Sequence, residues 1–382
     1  MSPQFVIAIL SLGAWIYLLG FRGEFWRGRQ RDDLDEPAEP SAWPDVVAVV
    51  PARNEADVIA QAVGSLRRQD YPGAFRIIVV DDNSDDDTAD ATRAAEGTHP
   101  LEVISGAPLA EGWTGKLWAQ SQGVARGAAS APKYILFTDA DISHDKSNLR
   151  RLVARAEAGD LALTSLMARL MVRSGWERLL IPSFVFFFQM LFPFAWVNDP
   201  TRRTAAAAGG CVLIQREALE RAGGLAAIRD NIIDDCALAR LIKPHGRVWL
   251  GLTRRAQSLR PYANLGDIAR MVSRSAYAQL DNSPLLLAGT VIGMAIVFVA
   301  PAVLWLIPGR SQPLGLLAWA IMAVAMQPTL RVYRLWGVWG LTLPFAGALY
   351  GGFTLWSAIQ HWRGRGGRWK GRIQGSLVQG ES

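Results

Sequence analysis

Residues 46–55 read VVAVVPARNE, a β-branched apolar stretch that runs directly into a polar end. Residues 58–68 then have the apolar spacing of a helix. Two further apolar stretches, residues 76–80 and 134–138, are each followed at once by an aspartate. Short apolar stretches of this kind, bounded by polar residues, indicate buried strands. Strand, helix and strand in alternation predict an α/β fold with a mostly parallel, Rossmann-like sheet.

The polar residues that end the first two strands are candidates for one shared binding site. Ligands of open α/β sheets bind beyond the carboxyl ends of the strands. The first end carries Pro51, Arg53 and Glu55, and the second carries Asp81 and Asp82. A carboxylate at such a position can hold the ribose or base of a nucleotide. An acidic strand end can also cap the next helix, and the sequence alone leaves both roles open.

The third strand ends in Asp139-Ala140-Asp141. Alternate residues of an extended segment point to the same side, so we expect both carboxylates to face one site. Mg²⁺ or Mn²⁺ can be bound by such a pair together with phosphate oxygens of a substrate. Solvated turn acids are the alternative, but the position after an apolar strand favours Asp139 and Asp141 as metal ligands.

Lys116 follows two glycines in the sequence GWTGK, and a lysine in such a loop can contact a diphosphate as a point charge. A merely solvated lysine is the simpler alternative. Gly209 and Gly210, followed by Cys211, permit a close backbone approach to a substrate. These residues are therefore candidates for the diphosphate or acceptor side of a site.

Asp234 and Asp235 form an acidic pair just before a helical stretch, residues 236–242. Either acid could be a helix N-cap, and a capping carboxylate can still face a cleft. Arg274 lies in a basic stretch that precedes an apolar run. A positive flank of a membrane segment is the simpler interpretation of that arginine.

The composition excludes several classes of protein. Two cysteines and four scattered histidines form neither a disulfide framework nor a zinc-type cluster, so we expect reduced, cytosolic thiols. The net charge is +6, and much of the positive charge flanks apolar runs. This pattern indicates contact with anionic lipid and no nucleic-acid partner.

Four apolar runs are candidate membrane spans. Residues 5–21 form an uncharged run followed by four arginines before residue 32. We expect a retained anchor, with the following domain in the cytoplasm by the positive-inside rule. Residues 284–307, 314–330 and 335–359 form three later runs. Buried core helices are the alternative, but core helices are rarely uncharged over about 20 residues.

Two of the apolar runs, residues 179–197 and 335–359, contain prolines. Residues 179–197 are rich in Phe but are interrupted by Pro182 and Pro193, so we expect an interfacial helix rather than a span. Pro344 lies near the middle of the last run. The tail after that run is basic, which places it in the cytoplasm. The run at 335–359 is therefore predicted to be broken or re-entrant.

The ordered set of motifs resembles glycosyltransferase family 2, whose members have the GT-A fold and invert the anomeric centre. The resemblance covers about residues 46–274. It implies a nucleotide-sugar donor, UDP-linked, held at the first two strand ends with Lys116 and Asp139. It implies Mg²⁺ or Mn²⁺ at Asp139 and Asp141. It also implies that Asp235, the second acid of the later pair, is the catalytic base.

Within that family the chain resembles the branch that modifies lipids. Processive members carry a Q-x-x-R-W motif, of which only Arg274 is present. The stretches GKLWA at 115–119 and WKGR at 369–372 resemble the lipid-modifying branch, which includes ceramide glucosyltransferase-like and carotenoid-type enzymes. The stretch NIIDDC at 231–236 also resembles the hopene-associated enzymes. The resemblance implies a membrane lipid acceptor such as a hopanoid or another polyprenoid.

The predicted order is a membrane anchor (1–22), a linker (23–44), the catalytic domain (45–275, with the interfacial helix near 176–197), membrane helices (284–360) and a basic tail (361–382). We expect a multi-pass protein of a bacterial-type inner membrane. A membrane-bound nucleotidyltransferase also uses paired aspartates and a metal. A transporter or scaffold with a nucleotide-binding domain would need ionisable residues in its spans, which these runs lack.

Overall fold

The computed structural model describes residues 2–366, 368–369 and 372–373. The remainder of the predicted basic tail, including part of its WKGR stretch, lies outside the described residues. The chain divides into two compact units. The sheet unit comprises Gln30–Leu170 and Trp196–Arg260, with the short strands near the C-terminus. The helical unit comprises Met1–Arg29, Met171–Ala195 and Pro261–Gly367.

An eight-stranded sheet of order β3-β2-β1-β4-β7-β6-β8-β5 forms the core of the sheet unit. The pairs within β3-β2-β1-β4 are parallel, as predicted. From β4 onward the sheet is mixed, because β7 is antiparallel to β4 and β6, and β5 is antiparallel to β8. The strands are β1 (Val46–Ala52), β2 (Phe75–Asp81), β3 (Leu101–Ser105), β4 (Tyr134–Thr138), β5 (Ile142–His144), β6 (Leu161–Arg169), β7 (Cys211–Gln215), β8 (Arg247–Ser258), β9 (Arg368–Trp369) and β10 (Arg372–Ile373).

The α-helices alternate with the strands in the sheet unit and predominate in the helical unit. They are α1 (Pro3–Phe21), α2 (Ile59–Arg67), α3 (Thr88–Arg93), α4 (Gly115–Gly127), α5 (Asn148–Gly159), α6 (Gly175–Leu191), α7 (Phe194–Asn198), α8 (Arg216–Arg221), α9 (Asp234–Ile242), α10 (Leu265–Ser273), α11 (Pro284–Met294), α12 (Ala300–Trp305), α13 (Gln312–Val332) and α14 (Leu343–Trp362).

Close packing of α4 on the sheet brings one helix terminus to the strand ends. Every residue of β1 is buried. A Cβ at Gly123 of α4 would lie 2.4 Å from Cγ1 of Val49 on β1, so only glycine allows this approach. Because α4 packs this closely on the sheet, its position relative to β1 is fixed.

Part of the predicted linker is held against the sheet unit by specific contacts. The Asp32 backbone N–H donates to the Leu252 carbonyl at 3.1 Å. Asp35 pairs with Arg155 of α5. Residues 30–44 are therefore an ordered part of the sheet unit.

Four helices of the described residues are long and apolar enough to cross a membrane: Pro3–Phe21, Pro284–Trp305, Gln312–Val332 and Gly337–Trp362. The second contains a π-helical stretch, Ala295–Val299, between α11 and α12. The fourth begins with a 3₁₀ turn, Gly337–Thr342, before α14. Pro344 stands in the first turn of α14, where its missing N–H removes no helical hydrogen bond. The last run is thus divided near its start, and a re-entrant path stays a prediction.

The expectation that Pro182 interrupts the Phe-rich run is wrong, because α6 continues through it. Aromatic packing holds the helix: Phe186 stacks on Trp15 with ring centroids 6.5 Å apart. The hydroxyl of Tyr350 donates to the Leu180 carbonyl at 2.9 Å. Helix α6 belongs to the helical unit together with the candidate spans. An interfacial position for it stays a prediction.

Candidate active site

Lys116 joins two carboxylates from distant parts of the sheet unit. It lies in the first turn of α4, and its Nζ is 2.8 Å from Asp139 Oδ1 and 3.0 Å from Asp234 Oδ2. The loops are tied together nearby, because the Thr114 N–H donates to the Arg229 carbonyl at 2.8 Å. Residues predicted separately from three sequence motifs therefore meet at one point.

The ionisation of this group follows from burial and mutual charge. Burial lowers the pKa of Lys116, but the charges of Asp139 and Asp234 outweigh it and raise the net pKa. Burial and the charge of Asp141 raise the pKa of Asp139, and Lys116 opposes them. One lysine thus contacts more than one carboxylate. The group therefore keeps a net negative charge that a cation could neutralise.

Asp235 is held differently, by backbone amides. Its Oδ2 accepts from the Gly209 N–H at 2.9 Å, and its Oδ1 accepts from the Cys236 N–H at 2.7 Å. Burial and the charge of Asp234 raise the pKa of Asp235 to about 6, against the opposing effects of Lys116 and the two amides. A carboxylate with a raised pKa is a stronger base than an ordinary one.

Neither acid of this pair is an N-cap. Ile233 occupies that position, and the first turn of α9 contains Asp234 and Asp235. The capping role considered from the sequence is therefore wrong. Both carboxylates lie at the positive end of the helix, which favours negative charge.

Of the two glycines, Gly209 lies against the charged side chains and Gly210 does not. A Cβ at Gly209 would be 3.2 Å from Lys116 Nζ and 3.4 Å from Asp235 Oδ2. A Cβ at Gly210 would be 3.3 Å from side-chain atoms of Ala168 and Ile142. Cys211, the next residue, is buried with a free thiol. Gly209 therefore faces the charged residues, whereas Gly210 and Cys211 face the core.

The first two strand ends form a second group of contacts. Arg53 donates through Nη1 to the Asn83 carbonyl at 2.8 Å and also to the Asp82 carbonyl. Asp82 is fully buried, and Pro51 is buried in β1. Asp81 accepts from the Ser84 hydroxyl. The structure thus interlocks the two predicted nucleotide-binding ends through Arg53.

Arg260 is a residue that the sequence analysis missed. It pairs with Glu55 and lies 3.4 Å, through Nε, from Asp141 Oδ2. It therefore connects the first strand end with the predicted metal site. No local motif marks Arg260 in the sequence. It follows β8 by two residues, and only the pairing of β8 with β5 and β6 brings it beside Glu55 and Asp141.

Asp139 and Asp141 do not lie in an extended segment, contrary to the prediction from the sequence. The two residues lie in a turn between β4 and β5. Asp139 contacts Lys116, whereas Asp141 contacts Arg260 and accepts from Ser258 at 3.3 Å. They remain close enough for the charge of Asp141 to raise the pKa of Asp139.

The residues fit a hard cation that is shared with a substrate. Among the described residues, no group of three or more His, Cys, Asp or Glu side chains is placed to hold an ion by itself. Two carboxylates completed by phosphate oxygens are a usual shell for Mg²⁺. Asp139 and Asp141 are the pair that could contribute.

Arg274 belongs to the helical unit, where it is exposed directly after α10. Its predicted role at the diphosphate or acceptor stays a prediction.

Comparisons with known proteins bear on the family profile and on the fold. The profile described as Glycosyl transferase family 2 matches residues 47–223. The succinoglycan biosynthesis protein ExoU of Rhizobium meliloti is 44% identical over 61 residues, which is 16% of this chain and 17% of that protein. The mannosyltransferase PcManGT of Pyrobaculum calidifontis, solved with GDP-Man and Mn²⁺, has a TM-score of 0.54. It is 18% identical, and the match covers 94% of this chain and 99% of that one.

At that identity the solved structure shows a shared fold alone, and ExoU is matched over a short stretch only. The family profile covers the residues that build the strand ends, Lys116, the Asp139 turn and Gly209. Residues 47–223 therefore match the profile of glycosyltransferase family 2, and the sheet unit has a fold of the GT-A type.

Proposed function

We propose that the protein transfers a sugar, with inversion and with Mg²⁺ or Mn²⁺, from a UDP-linked donor to a membrane lipid. The observation that carries the proposal is that the acids around Gly209 are held in two different ways. Asp139 and Asp234 pair with Lys116, whereas Asp235 is held by backbone amides and has a raised pKa. One site suits a diphosphate with its cation, and the other suits an acceptor hydroxyl.

The donor side is proposed to lie at the strand ends of β1 and β2. Arg53, Glu55 and the two aspartates there would contact the nucleoside, in keeping with ligand positions in α/β sheets. The GDP-Man complex of the Pyrobaculum calidifontis enzyme supports a nucleotide-sugar as the donor class. A uracil base is the part of this proposal that rests on resemblance alone.

Charge on the departing nucleoside diphosphate needs stabilisation. Asp139 and Asp141 would hold the cation, which supplies Lewis-acid stabilisation to the diphosphate when bound. Lys116 adds a buried positive charge that is fixed before the reaction, so no reorganisation is needed as negative charge develops. The excess of carboxylates beside Lys116 supports a further cation at this point.

Asp235 is the proposed base. An inverting transfer is a single displacement, in which the acceptor oxygen attacks the anomeric carbon as the nucleoside diphosphate leaves. The proton of the acceptor hydroxyl passes to the Asp235 carboxylate. The Gly209 N–H fixes the orientation of that carboxylate, and a side chain at Gly209 would crowd both Lys116 and Asp235.

The lipid acceptor is proposed from the helical unit. Four helices long and apolar enough to span a membrane occur in the same chain as the catalytic domain. A hopanoid or another polyprenoid with a hydroxyl or phosphate head is the acceptor class that we propose. The catalytic domain would then face the cytoplasm, where nucleotide-sugars are available.

Product analysis tests the proposal. The purified full chain is incubated with a panel of nucleotide-sugars, a membrane lipid extract and Mg²⁺ or Mn²⁺, and the products are read by mass spectrometry. We expect a lipid that gains one sugar and an equal amount of nucleoside diphosphate. In a parallel incubation with nucleoside triphosphates and sugar 1-phosphates, release of pyrophosphate with formation of a nucleotide-sugar would instead identify a nucleotidyltransferase and refute the proposal.

A further inference from the structure

A neutral hydrogen-bonded chain lies directly behind the charged residues. Thr138 is the last residue of β4 and immediately precedes Asp139. Its Oγ1 lies 2.8 Å from the Gly210 carbonyl and 2.9 Å from Nε2 of His144. Nδ1 of His144 lies 3.0 Å from Nδ2 of Asn148. All three side chains are buried.

The direction of every bond in this chain can be deduced. The Gly210 carbonyl can only accept, so the Thr138 hydroxyl must donate to it. Thr138 then has only lone pairs left for His144, so Nε2 of His144 must carry a proton and donate. In a neutral imidazole the other nitrogen accepts, and it receives a proton from the Asn148 amide. This arrangement satisfies the Thr138 hydroxyl and both ring nitrogens of His144, whereas Oδ1 of Asn148 is buried without a hydrogen-bond partner among the described residues.

The backbone around Gly209 is held on its other side as well. The Ala208 N–H donates to the Ser165 hydroxyl at 2.8 Å, and that hydroxyl donates back to the Ala208 carbonyl at 3.2 Å. Ser165 is fully buried. Residues 208 and 210 are thus both anchored, and the Gly209 N–H between them points to Asp235.

We propose that Thr138, His144 and Asn148 form a positioning relay that fixes the Gly209 N–H against Asp235 and, through the same strand end, fixes Asp139. The inference rests on the proposed function, because it assigns these residues to the same reaction. None of the three touches the reacting atoms. Their contribution is geometric, and it couples the donor side to the acceptor side.

The positioning relay depends on a neutral His144 side chain. Burial lowers the pKa of His144 to about 4. A protonated imidazole would turn a second N–H toward the Asn148 amide, so that two donors would face each other. The relay therefore stays uncharged at neutral pH and adds no net charge beside the charged residues in front of it.

A matched pair of variants tests the relay. Thr138→Val keeps the shape but removes the hydroxyl, whereas Thr138→Ser keeps the hydroxyl. Turnover is measured well below the unfolding temperature and as a function of pH. For Thr138→Val we expect kcat to fall about 10- to 100-fold, since small misplacements in a site can cost that much. For Thr138→Ser we expect kcat within about threefold of the natural protein.

The pH profile separates positioning from plain stability. The Gly209 N–H lowers the pKa of Asp235, so loosening Gly209 should move the acid limb of the kcat profile to higher pH. Of the two Thr138 variants, only Thr138→Val should show this movement. A fall in thermal stability with unchanged kcat and acid limb, or equal damage in Thr138→Ser, would overturn the relay.

A second variant covers the case in which Thr138→Val fails to fold. Asn148→Ala removes the far end of the relay and should move kcat and the acid limb in the same directions by smaller amounts. No change in either would overturn the inference. Failure of the proposed function is distinguishable, because the natural protein would then transfer no sugar at all.

Discussion

Two neighbouring groups of buried polar side chains differ in how they are paired. One is the charged cluster (Lys116, Asp139, Asp234 and Asp235), and the other is the neutral relay behind it. In the relay, each donor faces one acceptor and the direction of each bond is determined. In the charged cluster, one lysine faces more than one carboxylate, and the acids raise the pKa values of one another. A neutral network whose bonds each have one direction stabilises one geometry, whereas an unbalanced charged group retains a capacity to bind ions and move protons.

Function and stability are divided between neighbouring residues at the end of β4. Thr138 and Asp139 are consecutive, yet the first contacts backbone and a neutral histidine and the second contacts a lysine. Loss of a carboxylate from the charged cluster should therefore affect catalysis with little loss of fold. Changes in the relay should affect both, but catalysis less.

The largest expected effect concerns the metal. Asp139→Asn or Asp141→Asn should abolish metal-dependent binding of the nucleotide-sugar and reduce turnover to background, because a hard cation needs charged oxygen ligands. Calorimetric titration of the donor with and without Mg²⁺ or Mn²⁺ measures this. The fold should persist by circular dichroism. Full turnover in both variants would remove the metal assignment.

The next largest effect is expected from removing the positive charge of Lys116. Lys116→Met should lower turnover about 10²- to 10³-fold, as loss of one fixed electrostatic group typically does. It should also destabilise the protein at neutral pH, because Asp139 and Asp234 lose their shared partner. The double variant Lys116→Met with Asp234→Asn should regain thermal stability but not turnover. Recovery of turnover in the double variant would show that Lys116 acts only on stability.

A smaller effect is expected from pH alone. Asp235 must be ionised to accept a proton, and its pKa is raised to about 6. Activity should be complete above that pH and should fall as pH drops through it, approaching about tenfold per unit. The raised pKa also means that ionised Asp235 costs stability above pH 6, so the fold should not weaken as this group is protonated. An acid limb near the ordinary aspartate pKa would contradict the assignment.

Local pattern was sufficient to predict much of this fold. The strands near residues 46, 76 and 134 and the helix after residue 58 follow from apolar spacing, and the fold class is confirmed. The antiparallel half from β7 onward was not predicted, because the pairing of β7 between β4 and β6 joins residues far apart in the sequence. The path of α6 through Pro182 was missed because aromatic packing outweighs the local signal.

The site was predictable in its members but less so in its contacts. Asp139 and Lys116 were identified from strand-end position and glycine context, yet their ion pair requires α4 to lie against β1. Arg260 and His144 were not identified, since each acts through partners that only the folded sheet brings near. The roles of these residues in catalysis stay predictions.

The central claim is that Asp235, rather than Asp234, takes the acceptor proton, and one paired measurement tests it most directly. Lipid glycosylation and nucleotide-sugar affinity are measured for Asp235→Asn and Asp234→Asn. We expect Asp235→Asn to lose about 10²–10⁴ in turnover while donor affinity survives, because an amide cannot act as the base. Asp234→Asn should lose less. Near-normal turnover in Asp235→Asn with an inactive Asp234→Asn would exchange the two roles, and normal turnover in both would contradict the account.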